Sequence, residues 1–225
     1  MAEGSLSISA WVFWLSASAV AYAYVGYPCL VWLVARRRPR FVVREGDDGE
    51  WPAVTMLVPV HNERGSIDAK LANTRALRYP GRLRALFVSD GSTDGTVERL
   101  EGARNDRVDV LVLPERRGKA AALNLGLSHA AEGIVVFSDA SIMLLPDAIV
   151  EVVRPFQDPA VGCVSGEDRI AGTGGEGLYG RYEMFIRRQE SRLHSIVGAS
   201  GSFYAQRREL CAPFVPNLAP DFLSV

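Results

Sequence analysis

A long apolar stretch opens the chain. No charged residue lies between Glu3 and Arg36, whereas a helix of about 20 apolar residues is already long enough to span a bilayer. We therefore predict a transmembrane helix over residues 8–35. Pro28 lies inside it and favours a kink nearby, because proline lacks the N–H group that the helix would use at that position.

Basic residues follow this stretch directly, and none precedes it. They are Arg36, Arg37, Arg38 and Arg40. Because positively charged flanks stay in the cytoplasm, we expect a membrane protein that is single-pass in this chain, with the residues after the helix in the cytoplasm. A signal peptide cleaved near Ala21–Ala23 is an alternative, but its positive charge would stand before the apolar stretch. A buried core helix is the third interpretation.

A basic juxtamembrane linker over residues 36–52 leads into a region, residues 53–225, where short apolar runs alternate with helical segments. The runs predict buried parallel strands at Val54–Val58, Ala85–Val88, Val108–Leu113 and Gly133–Phe137. Helices are predicted at about residues 65–77, 94–102, 118–131 and 146–156, with starts at Ser66, Thr93 and Pro146. This alternation predicts an α/β fold with a doubly wound, mostly parallel sheet.

Composition and charge narrow the function classes. The 225 residues suit one ordinary domain with an accessory segment. Lys and Arg number 25 against 26 Asp and Glu, a net charge of -1, so the chain offers no general attraction for nucleic acid. Cys29, Cys163 and Cys211 form neither a metal-ligand spacing nor a disulfide framework, which favours a reducing compartment.

Acidic residues follow three of the predicted strands directly, in the segments Pro59–Glu63, Asp90–Asp94 and Asp139–Ser141. The carboxyl ends of parallel strands meet at one edge of a sheet, and ligands of such sheets bind there. We therefore predict a site at this edge for a phosphorylated, metal-associated ligand. A turn that binds no ligand stays open for Asp90–Asp94, because the sequence also suits a plain turn.

Two other motifs are judged by their context. Asp90–Glu101 fits the spacing of a calcium loop, but such a loop is entered from a helix and the residues before Asp90 look like a strand. Asp94 is better interpreted as a helix cap. Gly172–Gly177 matches the dinucleotide fingerprint, yet it follows the last predicted strand rather than the first, so a flexible loop is the simpler interpretation.

Two basic features also have more than one interpretation. Lys119, one of only two lysines with Lys70, begins a predicted helix, where a positive charge gains nothing from the helix dipole. It suits a phosphate or sugar ligand, although a merely solvated lysine remains open. Residues 178–197 predict an amphipathic helix whose arginine-rich face either covers the core or meets anionic lipid.

These motifs together resemble the family 2 inverting glycosyltransferases, specifically the membrane-bound branch of cellulose, hyaluronan and poly-N-acetylglucosamine synthases. The resemblance covers about residues 20–225. It rests on Pro59–Glu63, Asp90–Ser92, Gly118–Asn124 and, imperfectly, Asp139–Ser141. Further matches are Glu176–Tyr179, Glu183, Gly198–Gly201 and Tyr204–Arg208, which look like the acceptor side.

The resemblance implies a GT-A fold, a nucleotide-sugar donor, commonly a UDP-sugar, a saccharide or lipid-linked acceptor, and Mg2+ or Mn2+. It places Asp139 near the metal and the diphosphate, and Lys119 beside the donor. Asp221 would be the catalytic base by its place in the order of motifs. The nucleoside would be bound by Pro59, Val60, His61, Glu63 and Asp90.

The sequence departs from the family pattern at several positions. Ser141 replaces the second aspartate of the Asp-x-Asp motif, and Pro220 stands where a second acid commonly precedes the base. No Trp follows Trp51, so the Gln-x-x-Arg-Trp motif is absent and we expect a chain that is incomplete at its C-terminus. A membrane-anchored nucleotidyltransferase and a donor-binding module without turnover remain alternatives.

Overall fold

The computed structural model describes residues 7–37, 50–130, 133–167, 175–193 and 198–215, with the side chains of residues 175–179 left out. The chain divides into two compact units. The first comprises Met1–Val42 with Ile170–Val197, and the second comprises Val43–Arg169 with Gly198–Val225.

The first unit is built from the predicted N-terminal helix and one further helix. Helix α1 spans Ile8–Ala21, a π-helical turn follows at Tyr22–Gly26, and helix α2 spans Tyr27–Ala35. Together they form a continuous helix, Ile8–Ala35, which in the described part of the chain is the one helix long and apolar enough to cross a membrane. A helix is therefore present at residues 8–35, whereas its crossing of a membrane stays a prediction.

Pro28 explains the π-helical turn. Proline has no N–H group, so the carbonyl of Tyr24 lacks its donor four residues on. Tyr182, on the later helix Gly175–Leu193, donates its hydroxyl to this carbonyl at 2.7 Å. The Tyr27 hydroxyl in turn donates to Glu190 Oε1 at 2.5 Å. The irregular turn is thus stabilised by polar groups of the neighbouring helix.

The outer face of this later helix is basic. Arg181, Arg188 and Arg192 are exposed, and Phe185, exposed at 41%, lies between them at helical spacing. The inner face carries Gln189, which is buried. The predicted amphipathic helix therefore exists, although its last predicted residues, 194–197, lie outside the described part.

The second unit contains a sheet of six strands within the described residues. They are β1 (Val54–Val60), β2 (Leu83–Asp90), β3 (Val108–Leu113), β4 (Ile134–Ser138), β5 (Cys163–Ser165) and β6 (Phe203–Arg207). The strand order is β3-β2-β1-β4-β6-β5. The first four strands are parallel, whereas β6 is antiparallel to both β4 and β5. The predicted α/β fold with a mostly parallel sheet is confirmed.

The helices of this unit alternate with the strands. They are α3 (Ile67–Ala76), α4 (Thr96–Glu101), α5 (Lys119–His129) and α6 (Ala148–Val153). Helix α6 continues as a 3-10 turn at Arg154–Gln157. The helix Gly175–Leu193 of the first unit is numbered α7. Ser66 precedes α3, as predicted. Thr93 does not begin α4, because the chain needs a left-handed residue there and Gly95 supplies it, at φ 91°. Pro146 does not begin α6 either, since Asp147 precedes Ala148.

The core lies on both faces of the central strands. Met56, Leu57, Phe87 and Val136 are all fully buried. Each such side chain contributes about 1.5–3 kcal/mol relative to an exposed one. Burial on both faces explains why these strands read as continuous apolar runs rather than as alternating ones.

Strands β5 and β6 were not predicted. β5 has three residues and β6 ends in the polar pair Gln206–Arg207, so neither forms a long apolar run. The pairing of β6 with β4 is supported by the rings of Phe137 and Tyr204, which stack with centroids 4.4 Å apart. This pairing brings Ser202 to the end of β4, where its carbonyl accepts the N–H of Asp139 at 2.9 Å.

Candidate functional site

The predicted acidic loops lie at one edge of the sheet. β1 pairs in parallel with β2 on one side and with β4 on the other, so all three strands end at the same edge. Chain order reverses between β1 and β4, which is where open α/β sheets bind their ligands. Pro59 and Val60 close β1 here, Asp90 closes β2, and Asp139 follows β4.

The loops after β1 and β2 are tied to each other by hydrogen bonds. The N–H of Asn62 donates to Ser92 Oγ at 3.1 Å, and the N–H of Thr93 donates to Asn62 Oδ1 at 2.8 Å. The N–H of Glu63 donates to Thr96 Oγ1 at 2.9 Å. Asn62 has a φ of 54°, a left-handed conformation that asparagine tolerates better than most residues. The two loops therefore form one rigid rim.

The predicted helix cap at Asp94 is wrong, because Gly95, in its left-handed conformation, is the N-cap of α4. Asp94 lies one residue earlier and joins this rim. Its Oδ1 accepts from the Thr96 hydroxyl at 2.6 Å and from the Thr96 N–H at 3.1 Å. Its Oδ2 accepts the N–H of Arg64 at 3.0 Å. The hydrogen bond from Thr96 lowers the pKa of Asp94 most, because it stabilises the ionised form. A calcium loop is excluded, since a strand rather than a helix precedes Asp90.

Asp90 anchors the loop that precedes α5. It is 4% exposed, and its oxygens accept the N–H groups of Arg117 at 2.6 Å and Gly118 at 2.8 Å. His61 Nδ1 donates to the Asp90 carbonyl at 2.6 Å. Asp90 thus links the rim to the residue before Lys119. Gly91 permits this approach: at φ 61°, a Cβ there would lie 2.3 Å from the backbone N of Arg116.

Asp139 is more accessible and pairs with Lys119. Lys119 Nζ lies 2.7 Å from Asp139 Oδ1, and the two side chains are 38% and 34% exposed. The same ammonium donates to the Gly201 carbonyl at 3.3 Å. Beside this pair is a cavity of about 10 Å³, roughly the space of one water molecule. Its walls include Pro59, and it lies at the point where the strand order reverses.

The predicted site residues differ in how they face this edge. The Val60 side chain packs into the core, so only its backbone is available there. Glu63 accepts a short hydrogen bond from Ser66, and His61 is partly buried against Asp90. Asp221, the predicted base, lies outside the described residues, as do Gly172–Gly174.

Among the described residues, Asp139 is the accessible carboxylate that a divalent cation would meet beside Lys119. Ser141, next to Asp139, is exposed. Among the described residues, no three Asp, Glu, His or Cys side chains gather as a metal site. One carboxylate is still compatible with Mg2+ or Mn2+, because such ions often take most of their ligands from phosphate and water. Asp139 is the residue that would hold it.

Sequence patterns assigned no role to the residues that support these loops from behind, although Asn124 ends the Gly118–Asn124 motif. Asn124 exchanges two hydrogen bonds with the backbone of Phe214, at 2.9 and 2.7 Å. Lys70 is fully buried below the loop after β4. Asn73 binds the backbone of Leu144 in the same loop. The rarity of lysine in this chain was the one available signal for Lys70.

Two relatives are similar in sequence to about half of this chain. Poly-beta-1,6-N-acetyl-D-glucosamine synthase of Staphylococcus aureus (strain MSSA476) is 34% identical over 123 residues, which is 54% of this chain and 30% of the relative. An N-acetylglucosaminyltransferase of Rhizobium sp. (strain N33) is 31% identical over 121 residues, which is 52% of this chain and 27% of the relative. The chain therefore spans less than a third of the length of these relatives.

Solved structures share the fold. A mannosyltransferase of Pyrobaculum calidifontis, solved with GDP-Man and Mn2+, aligns with a TM-score of 0.75 and 31% identity, covering 92% of this chain and 60% of its own. Glucosyl-3-phosphoglycerate synthase of Mycobacterium tuberculosis aligns with a TM-score of 0.52 and 23% identity, covering 77% and 63%. The second likeness supports the fold alone.

The family assignment rests on a match that covers most of the chain. The model of the family described as glycosyl transferase family 2 matches residues 55–212. This range contains β2 to β6, all of β1 except Val54, and both Asp90 and Asp139. The chain therefore belongs to glycosyl transferase family 2, with a GT-A-like fold.

Proposed function

We propose that the chain transfers a sugar from a nucleotide-sugar donor, most simply a UDP-sugar, to a saccharide or lipid-linked acceptor with inversion. The observation that carries this proposal is the Lys119–Asp139 pair at the reversal point of the sheet. A carboxylate and an ammonium side by side suit a diphosphate and its counterion. The family match favours glycosyl transfer over nucleotidyl transfer.

The nucleoside end of the donor would lie along the rim formed by the loops after β1 and β2. Pro59, Val60, His61 and Glu63 belong to the first of these loops or to the end of β1. Asp90 would act mainly through the loop it holds, since both its oxygens accept backbone N–H groups. Each oxygen has a further lone pair that a nucleobase N–H could use.

The diphosphate end would lie against Asp139 and Lys119. In this arrangement Lys119 leaves Asp139 and binds phosphate oxygens, because the cavity beside the pair has room only for a water-sized group. A divalent cation at Asp139, when bound, would stabilise the charge that develops on the departing diphosphate. The mannosyltransferase of P. calidifontis was solved with Mn2+, which supports this expectation.

Inversion requires a base on the face of the sugar opposite the leaving group. The base accepts the proton of the acceptor hydroxyl as that oxygen attacks the anomeric carbon. We propose Asp221 for this role. Asp221→Asn should abolish transfer while donor binding persists, and transfer that survives the substitution would reject the assignment.

We also propose that the helix Ile8–Ala35 spans the membrane, with the catalytic unit in the cytoplasm. Arg36 and Arg37 follow the helix, consistent with a cytoplasmic flank. The basic face of α7, with Phe185 among its arginines, suits anionic lipid headgroups. Full-length protein should stay with membranes after a carbonate wash, and its release into the supernatant would contradict the anchor.

The test of the reaction is to incubate full-length protein with a panel of UDP- and GDP-sugars and Mn2+, and to identify the products. Glycosyl transfer or donor hydrolysis releases a nucleoside diphosphate. Release of pyrophosphate from a nucleoside triphosphate would instead identify a nucleotidyltransferase. Donor binding without either product would identify a binding module without turnover.

A further inference from the structure

Lys70 lies on α3, directly behind the loop that carries Asp139. Its side chain is 0% exposed. Nζ donates to Ser138 Oγ at 2.8 Å and to the carbonyl of Ile142 at 2.5 Å. These two acceptors flank Asp139 in the sequence. Lys70 therefore holds the loop on both sides of the acid that faces the cavity.

Burying an ammonium group is unfavourable, and this one has no carboxylate within hydrogen-bonding distance among the described residues. Burial lowers the pKa of Lys70 to about 8, and the nearby charge of Asp139 partly offsets that effect. An apolar side chain would fill the same space without this cost. The burial of Lys70 therefore calls for an explanation other than packing.

Asn73, one turn later on α3, forms hydrogen bonds with Leu144 at the other end of the same loop. Its Nδ2 donates to the Leu144 carbonyl at 2.7 Å, and its Oδ1 accepts the Leu144 N–H at 2.9 Å. With Lys70, this gives α3 four hydrogen bonds to residues 138–144. Side chains of α3 therefore hold this loop in place from behind.

We propose that Lys70 is a positioning residue of the donor site: its ammonium fixes the backbone around Asp139 so that the carboxylate faces the donor. This inference rests on the proposed function, because it gives Asp139 the role described above. Lys70 does not contact the cavity and acts only through the loop. Its positive charge also lies behind the site where the donor diphosphate would bind, which adds to the attraction that Lys119 supplies.

The first test measures the loop itself and requires no activity. Hydrogen exchange of full-length Lys70→Met in detergent should be roughly tenfold faster in residues 139–145, with the peptides of β1 and β2 unchanged. Thr74→Val is the matched control, because Thr74 is buried on the same helix and its hydroxyl donates to the carbonyl of Lys70 rather than to the loop after β4. Unchanged exchange in residues 139–145, or a rise throughout the sheet equal to that in the loop, would overturn the proposal.

The second test distinguishes positioning from general stability. Lys70→Met should weaken binding of the UDP- or GDP-sugar that the chain prefers roughly tenfold, while Thr74→Val leaves it unchanged. Ser138→Ala removes one of the two contacts and should give a smaller loss. The double variant should lose less than the sum of the single losses, because both substitutions break the same contact. Fully additive losses would contradict action through Ser138.

The two tests still decide the proposal if Lys70→Met does not fold or if the wild-type chain binds no nucleotide sugar. If Lys70→Met does not fold, Ser138→Ala must still speed exchange in residues 139–145, and normal exchange in that variant would overturn the proposal. If no nucleotide sugar binds the wild-type chain, the proposed function fails, whereas the exchange measurement still decides whether Lys70 fixes the loop.

Discussion

Asp90, the last residue of β2, and Asp139, the first residue after β4, lie at the same sheet edge but have different partners. Asp90 is 4% exposed and accepts two backbone N–H groups, from Arg117 and Gly118. The Asp139 side chain is 34% exposed and pairs with Lys119, which also reaches the Gly201 carbonyl. Asp90 is therefore bound to backbone groups, whereas Asp139 can exchange its lysine partner for a ligand.

This difference separates two tasks that a carboxylate performs in a binding site. A buried acid that accepts backbone N–H groups shapes the loop, and removing it leaves those donors unsatisfied. An accessible acid paired with a lysine is weakly held, because exposed ion pairs contribute little to stability. A ligand can therefore displace the lysine from Asp139 more easily than it can displace the backbone from Asp90.

The largest effect is expected for Asp139→Asn. The substitution keeps the shape of the side chain but removes its charge, so turnover should fall about 100-fold to 1000-fold. The free energy of unfolding should change little, since the side chain is partly exposed. Rates of nucleoside diphosphate release and urea unfolding measure the two quantities. Wild-type turnover in Asp139→Asn would contradict the proposed difference between Asp139 and Asp90.

Asp90→Ala should act mainly on stability. It removes two hydrogen bonds from the N–H groups of Arg117 and Gly118 to a buried carboxylate, which should lower the free energy of unfolding by about 3 kcal/mol. Urea unfolding of the full-length protein measures this loss, with Asp106→Ala, an exposed acid after α4, as the control. A loss equal to that of the control would contradict the anchoring role.

Gly91→Ala should loosen the same loop without removing a charge. The glycine has a φ of 61°, and a Cβ would lie 2.3 Å from the backbone N of Arg116. Strain of this kind costs about 2 kcal/mol. Gly65→Ala is the control, because a Cβ at Gly65 meets nothing within 4 Å. Equal unfolding midpoints for both variants would count against a tight loop at Asp90.

The smallest effect is expected for Lys119→Gln. Losing the ammonium removes a partner for phosphate but also frees Asp139, so the two consequences oppose each other. We expect donor affinity to fall roughly tenfold, with a smaller loss when Mn2+ is raised. Calorimetric titration at two Mn2+ concentrations measures both effects. Tighter donor binding by the variant would show that Lys119 only blocks the site.

The sequence predicted that Asp90 and Asp139 share one edge of the sheet, but not that they perform different tasks there. Strands β1, β2 and β4 were predicted because burial on both faces makes them continuous apolar runs. Strand β3 lies at the edge of the sheet and is only partly buried, but its valines and leucines still form a recognisable run. The acids after them were predicted to share an edge by topology alone. No pattern distinguishes an acid that binds a ligand from one that binds backbone, because both tasks favour a carboxylate at a strand end.

Lys70 and Asn73 were beyond prediction for a related reason. Both lie on α3 among residues that read as an ordinary polar helix. Their role depends on the loop after β4, which is about 70 residues away in sequence: the contact from Lys70 to Ser138 spans 68 residues. Tertiary contacts of this range leave no local pattern.

The most direct test of the account is to titrate wild type, Asp139→Asn and Asp90→Ala with the preferred nucleotide sugar and Mn2+, and to unfold the same samples in urea. We predict that Asp139→Asn loses donor affinity at wild-type stability, whereas Asp90→Ala loses stability first and affinity as a consequence. Wild-type affinity in Asp139→Asn would contradict the account.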